Sequence, residues 1–214
     1  PDKPLAEAYT EPLKKFLKYY YITGGMPEAV ATWLETKNFD AVTQIQNNIL
    51  HDYSADFAKY APVNDVPKLQ LVWQSVPQQL AKENKKYIYG QVREGARAKD
   101  FELAIQWLLD CGLIHKVHRV KKPSLPLKAY MDLDAFKIYM LDVGLLLAMA
   151  DLDASVIIDG NRIFTEFKGA LTEQYVLQQM IAELGVEPYY YTTANSTGEI
   201  DFMLQAPGSV IPVE

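Results

Sequence analysis

Helical spacing governs the first 112 residues of this chain, and at Gly112 and again at Gly185 it gives way to strand-like segments. The two patterns are exclusive: side chains share a face every 3.6 residues on a helix and every second residue on a strand. Two such switches predict a mixed α/β fold built in blocks, not a bundle or a sandwich.

In the first block, Leu13, Phe16, Leu17, Tyr20 and Tyr21 fall on one helix face. Gly24-Gly25-Met26-Pro27 breaks it, and Glu28–Leu34 restarts with proline where a new helix tolerates it. Phe39–Tyr60 is a longer amphipathic helix with Val42, Ile45, Ile49 and Tyr53 along its stripe. Pro62 and Pro67 then punctuate the chain, so residues 1–62 are expected to form a helical linker or lid segment.

The second block, 63–150, reads as helix Leu69–Glu83, a short helix near Tyr89–Glu94, and a third capped by Asp100. Phe101, Ala104, Ile105, Leu108 and Leu109 line the third helix, and Gly112 ends it. Leu113–Val120 and Leu127–Met131 then read as strands around the loop Lys121–Pro126. This is the order of a winged-helix (helix-turn-helix) domain, whose third helix and loop would face DNA. The third block, 151–214, has a long helix Ile163–Leu184, a Tyr189–Thr192 strand and a hairpin. In the hairpin, Glu199–Leu204 alternates strictly, Ala206-Pro207-Gly208 turns, and Val210–Glu214 returns. The stop partway through an apolar strand predicts a truncated α+β domain that continues beyond Glu214.

No stretch of about 18 apolar residues occurs, so no membrane span is expected. A single cysteine, Cys111, allows no intrachain disulfide and fits a reducing, cytoplasmic setting. The net charge of −6 argues against a chain coated by nucleic acid, but it conceals an asymmetry. Lys82–Lys122 holds ten Lys/Arg against five acids, whereas 123–214 holds four against thirteen, which suggests modules with different partners.

Glu173 is the most informative single residue. Ala170, Glu173, Leu177, Met180 and Leu184 follow one another at steps of three or four, placing a carboxylate on the face that should be buried. A buried carboxylate needs an ion pair, hydrogen bonds or a bound cation. Asp201 lies on the alternating strand and Glu214 on the next, and carboxylates from a helix and two strands suit a hard divalent cation such as magnesium. Such an ion would activate water for phosphodiester hydrolysis. Convergence depends on hairpin register: a four-residue loop, Gln205–Gly208, puts residues 201 and 214 on one side, and a three- or five-residue loop puts them on opposite sides unless a bulge intervenes.

Gly169-Ala-Leu-Thr-Glu173-Gln-Tyr-Val, Glu199-Ile-Asp201-Phe and Ile211-Pro-Val-Glu214 resemble the PD-(D/E)xK, restriction-endonuclease-like pattern. With Gly24-Gly25-Met26-Pro27-Glu28, Gly95-Ala-Arg97, Asp110-Cys-Gly112-Leu and Phe136-Lys-Ile-Tyr-Met-Leu-Asp142-Val-Gly144, residues 13–214 resemble a more specific region. It is the C-terminal domain of unknown function that follows the ATPase module in archaeal-type AAA-superfamily ATPases. The resemblance implies Glu173 as the helix carboxylate, Asp201 as principal metal ligand and Glu214 as the acid of a Glu-x-Lys pair. Its lysine would lie two residues past Glu214, so the chain as given would be inactive even if the whole protein cut DNA. It also implies magnesium in the complete protein and ATP in an upstream module. No phosphate-binding Gly-x-x-x-x-Gly-Lys-Ser/Thr loop occurs here, so no cofactor is expected on these residues.

Lys85, Lys86, Arg93, Arg97, Lys99, Lys116, Arg119, Lys121 and Lys122 flank the second and third helices and the loop, where DNA phosphates would be met. A patch that docks on the chain's own acidic third block is the competing reading, and a regulatory or assembly module touching only protein is the competing function. Partners are therefore DNA, the ATPase module or a second copy, with no membrane. His115 and His118 point to opposite sides of a strand and make a poor zinc pair, and Cys111 is expected in the core. The tyrosine runs 19–21 and 189–191 read as core and half-buried strand residues rather than base-stacking platforms.

Overall fold

A computed structural model describes residues 7–82, 85–159, 165–193 and 198–214. The N-terminal helices are α1 (Glu7–Thr23), α2 (Pro27–Thr36) and α3 (Phe39–Tyr60). Then come α4 (Val66–Leu80), α5 (Tyr89–Val92), α6 (Ala98–Asp110), β1 (Ile114–Val120) and β2 (Met131–Met140). After α7 (Val143–Met149) and α8 (Ala154–Asp159), α9 (Thr165–Gln179) runs into a π-helical turn, Met180–Leu184. The chain ends on β3 (Tyr189–Thr192), β4 (Glu199–Ala206) and β5 (Ser209–Val213). The fold is mixed α/β, as the periodicity predicted.

Local chemistry sets several boundaries. Asn38 caps α3 by accepting from Asp40 N at 2.8 Å. Asp100 does not cap α6 from outside as expected; the helix begins at Ala98, and the carboxylate reaches back from its first turn to Arg97 N at 2.8 Å. Leu127–Tyr130, read from sequence as a strand, is a 3₁₀ turn, and the strand is the following ten residues, Met131–Met140. The long helix is described from Thr165; the residues expected to begin it, 163 and 164, lie outside the described residues. Cys111, expected in the core, is exposed, because α6 ends one residue before it and the buried stripe closes at Leu108.

The strands form one five-stranded sheet in the order β2-β1-β3-β4-β5. The β1–β2 hairpin is joined to the C-terminal hairpin by a parallel contact, His118–Val120 against Tyr189–Tyr191. The sheet therefore runs across the boundary expected near Asp151, and the hairpin is not a free-standing wing. Residues 135–140 of β2 are buried without alternation because both faces are covered. Lys137 and Tyr139 face α9, while Phe136 points the other way and packs on Tyr87 and Tyr89, with the Phe136 and Tyr87 rings 5.3 Å apart. Gln174 of α9 pairs with the backbone of Met140, accepting from its N at 2.8 Å and donating to its O at 2.6 Å.

The two glycine motifs meet. Asp142 caps α7 through Leu145 N at 3.0 Å, and its other oxygen accepts from Gly25 N at 2.7 Å. Gly24 sits at φ +68°, and a Cβ there would overlap the Asp142 carboxylate. A Cβ on Gly144 would lie 2.7 Å from Gly24 N and 2.5 Å from Gln46 Nε2. Gln46 itself donates to the carbonyls of Ile22 and Thr23. The α1–α2 turn is thus locked to α3 by the Gln46 side chain, and to α7 by the Asp142 carboxylate and the close approach of Gly24 to Gly144.

Candidate functional site

The stripe on α9 comes out as expected for Ala170, Glu173, Leu177 and Met180, all buried, whereas Leu184 is exposed beyond the π-helical turn. Glu173 does need partners, and the structure supplies cations. Its Oε1 meets Lys85 Nζ at 2.5 Å, and its Oε2 accepts from Tyr139 Oη at 2.9 Å and lies 3.5 Å from Lys137 Nζ. Lys137 is fully buried, and its ammonium also contacts Glu199 and lies 3.8 Å from Asp201 Oδ1. On its remaining side it stands 4.9 Å above the Tyr190 ring. Helix α9, strand β2 and strand β4 thus converge on one buried ammonium.

A bulge makes this possible. Tyr189 pairs with Met203 and Tyr191 with Ile200, so Asp201 and Phe202 together oppose the single residue Tyr190. The strict alternation expected for Glu199–Leu204 is broken there, and Asp201 swings towards the same side as Phe202 and Glu199. The β4–β5 turn has two residues, Pro207 and Gly208, because Ala206 pairs with Ser209. That register, carried one step past Phe202–Val213, sets Glu214 opposite Asp201. Glu214 is exposed, however, and makes no ion pair among the described residues. The structure joins Glu173 and Asp201, and adds Glu199, but leaves Glu214 outside the cluster.

The electrostatics follow from three carboxylates facing two ammoniums, with Lys137 and Glu173 buried and Glu199 and Asp201 half-buried. Burial would raise the Glu173 carboxyl, but Lys137, Lys85 and the Tyr139 hydroxyl outweigh it and hold the group below its usual range. Asp201 goes the other way: burial and the nearby Glu173 charge push it up to about 6 despite the two lysines. Burial, reinforced by Glu173, drives the Tyr139 phenol well above its usual value, so it stays a donor. The cluster holds one more carboxylate than ammonium, and Asp201 is the carboxyl that is easiest to protonate.

Lys137, with Tyr139 and Glu199, is a member of the cluster that sequence reasoning missed as a site residue. Its signal was a lysine inside the apolar run Phe136-Lys-Ile-Tyr-Met, where nothing short of a carboxylate partner would allow a charge. The resemblance placed the site lysine beyond Glu214; in the fold, the position between the carboxylates is taken by a lysine from β2. A magnesium ion does not fit this donor set. Each carboxylate already faces an ammonium, and among the described residues no group of three or more His, Cys, Asp or Glu could hold a metal.

The expected basic face is partly consumed. Lys85 is in the buried cluster, Arg119 pairs with Asp132 at 2.6 Å, and Lys116 lies 4.1 Å from the Phe136 ring, its ammonium pushed down by burial. Arg93 stands over Phe101, and Lys86 is half-buried. Arg97 and Lys99 are on the surface at the start of α6, and Lys121, Lys122 and Lys128 are exposed at the hairpin tip. His115 and His118 are both held below the usual range by burial.

No curated protein and no solved structure matches this chain. Residues 168–214, which carry Glu173, Glu199 and Asp201, match a domain of unknown function, DUF4143, commonly found in the C-terminal regions of AAA-ATPases. Residues 14–156, which carry both glycine motifs, Lys85 and Lys137, match a second, and on that match the chain belongs to the family described as a domain of unknown function (DUF8612).

Proposed function

We propose that this chain is a non-catalytic, DNA-contacting module from the C-terminal region of an ATPase-type protein, in which a winged-helix-like half and a nuclease-like half share one sheet. The DUF4143 match supports the ATPase context. Lys137 supports the absence of catalysis: a buried ammonium among Glu173, Glu199 and Asp201 neutralises the carboxylates that a metal would need. The observation that carries DNA contact is the hairpin tip, where Lys121, Lys122 and Lys128 are exposed and form no ion pair among the described residues. Three lysines on a turn suit phosphate contacts, which position a duplex without reading its sequence.

A second reading rests on α6, the helix that would enter a groove. Its exposed residues are Lys99, Glu102, Leu103, Gln106 and Asp110, with Leu103 76% exposed, a surface better suited to protein than to phosphate. One titration separates the two. Binding of labelled DNA at low salt that weakens with added salt and with Lys121→Ala/Lys122→Ala supports the DNA reading. No binding at low salt overturns it and leaves the protein-docking reading. Magnesium-dependent cleavage abolished by Asp201→Ala would overturn the non-catalytic assignment.

A further inference from the structure

The sheet face turned away from α9 carries a second, smaller cluster. Val120, Leu127 and Met203 are buried there, and Tyr130, Tyr189, Tyr191, Ile200 and Val210 pack on them half-exposed. Alternation puts Tyr189 and Tyr191 on this face, because Tyr190 between them faces Lys137 on the other. The hairpin tip folds over one border of the face, anchored where Leu127 N donates to Gln205 Oε1 at 2.9 Å. This brings Tyr130 and the tip lysines to the same surface: Lys121 N donates to Tyr130 O at 2.8 Å, and Lys122 Nζ stands 5.8 Å from the Tyr130 ring centre. Among the described residues, none of the three tyrosines stacks on another aromatic ring.

We propose that this face binds single-stranded nucleic acid, with Tyr130, Tyr189 and Tyr191 stacking bases and Lys121, Lys122 and Lys128 holding the backbone. The inference deepens the DNA-contacting reading above and rests on it. Aromatic faces beside a line of lysines fit an unpaired strand, because every base offers a π-face and each phosphate a charge. A duplex hides its base faces and would meet the lysines alone. The site opposes the carboxylate cluster across the sheet, so Glu173, Glu199 and Asp201 gather about Lys137 on the far side.

The test compares a labelled oligo-dT strand with a duplex of equal length, by fluorescence anisotropy at low salt on the full chain. The expected result is tighter binding of the single strand. Tyr189→Leu/Tyr191→Leu, which keeps the apolar packing, should lower single-strand affinity by about thirtyfold or more and leave duplex binding unchanged. Lys121→Ala/Lys122→Ala should weaken both and reduce the salt slope by roughly 0.7 per lysine removed on the single strand. Equal affinity for both forms, or a tyrosine variant that stays folded by circular dichroism and binds oligo-dT normally, overturns this inference and leaves the DNA-contacting reading standing. No binding of either form overturns both.

Discussion

Replacing Lys137 by methionine removes the positive charge while keeping most of the side-chain volume. The lysine is fully buried and faces Glu173, Glu199 and Asp201, whose side chains are 10%, 27% and 32% exposed. Without it, three carboxylates share Lys85 alone, and Glu173 keeps only Lys85 and the Tyr139 hydroxyl. Breaking a buried pair by removing one partner costs about 3–5 kcal/mol, because the other charge is left uncompensated. A domain's whole stability is about 5–15 kcal/mol, so the variant should unfold at a much lower urea concentration at neutral pH. Adding Glu173→Gln should recover a large part of the loss, since the amide removes the stranded charge. A loss below about 1 kcal/mol, the range of an exposed pair, would refute the view that this ammonium holds α9 to the sheet.

Asp201→Asn should act in the opposite sense. The folded-state carboxyl titrates near 6, above its value of 3.8 in the unfolded chain, so the folded protein binds that proton more tightly. The penalty for ionising Asp201 is absent below pH 4 and complete above pH 6, and the variant should be more stable at pH 7 by on the order of 1 kcal/mol after allowance for solvent screening. The gain should vanish as urea midpoints are followed down to pH 4; a constant gain would count against the assignment. Gly24→Ala should cost more than about 2 kcal/mol, since it combines a left-handed backbone with overlap of Asp142, whereas Gly112→Ala, open on all sides, should cost about 1. Parallel thermal melts read the difference, and equal losses would show that the Gly24–Asp142 contact is not what requires glycine. Millimolar magnesium should leave the melting temperature unchanged at neutral pH, and a clear upward shift would show that the carboxylates take a metal after all.

How much of this was legible in the sequence depended on whether one element or two determined the outcome. Glu173 could be found from α9 alone, because a helix repeats its buried face every three or four residues and a carboxylate on that stripe stands out. Lys137 could not be placed in the same way. Its strand is covered on both faces, so residues 135–140 show no alternation and nothing local says which way the lysine points. The Asp201 bulge exists only through pairing with the β3 residues Tyr189 and Tyr191, and the spacing between the two segments in sequence does not reveal register. Glu199 stands out in the sequence only as part of a motif, because its partner Lys137 lies on another strand more than sixty residues away. Helix α7 is not legible locally, since Gly144 looks like a breaker until its packing on Gly24 is known.

The parallel pairing of β1 with β3 has a consequence for how the protein is made. Residues 118–120 wait for residues 189–191, some seventy positions later, before the middle of the sheet can close. A ribosome releasing the chain from its N-terminus presents the β1–β2 hairpin first, with one edge unpaired and Lys137 lacking all three of its carboxylates. Contacts this distant in sequence slow folding and prolong the exposure of sticky intermediates. A chain cut between α7 and α8 should therefore yield two aggregating pieces, and mixing them in refolding buffer should restore a soluble complex if the sheet is what joins them.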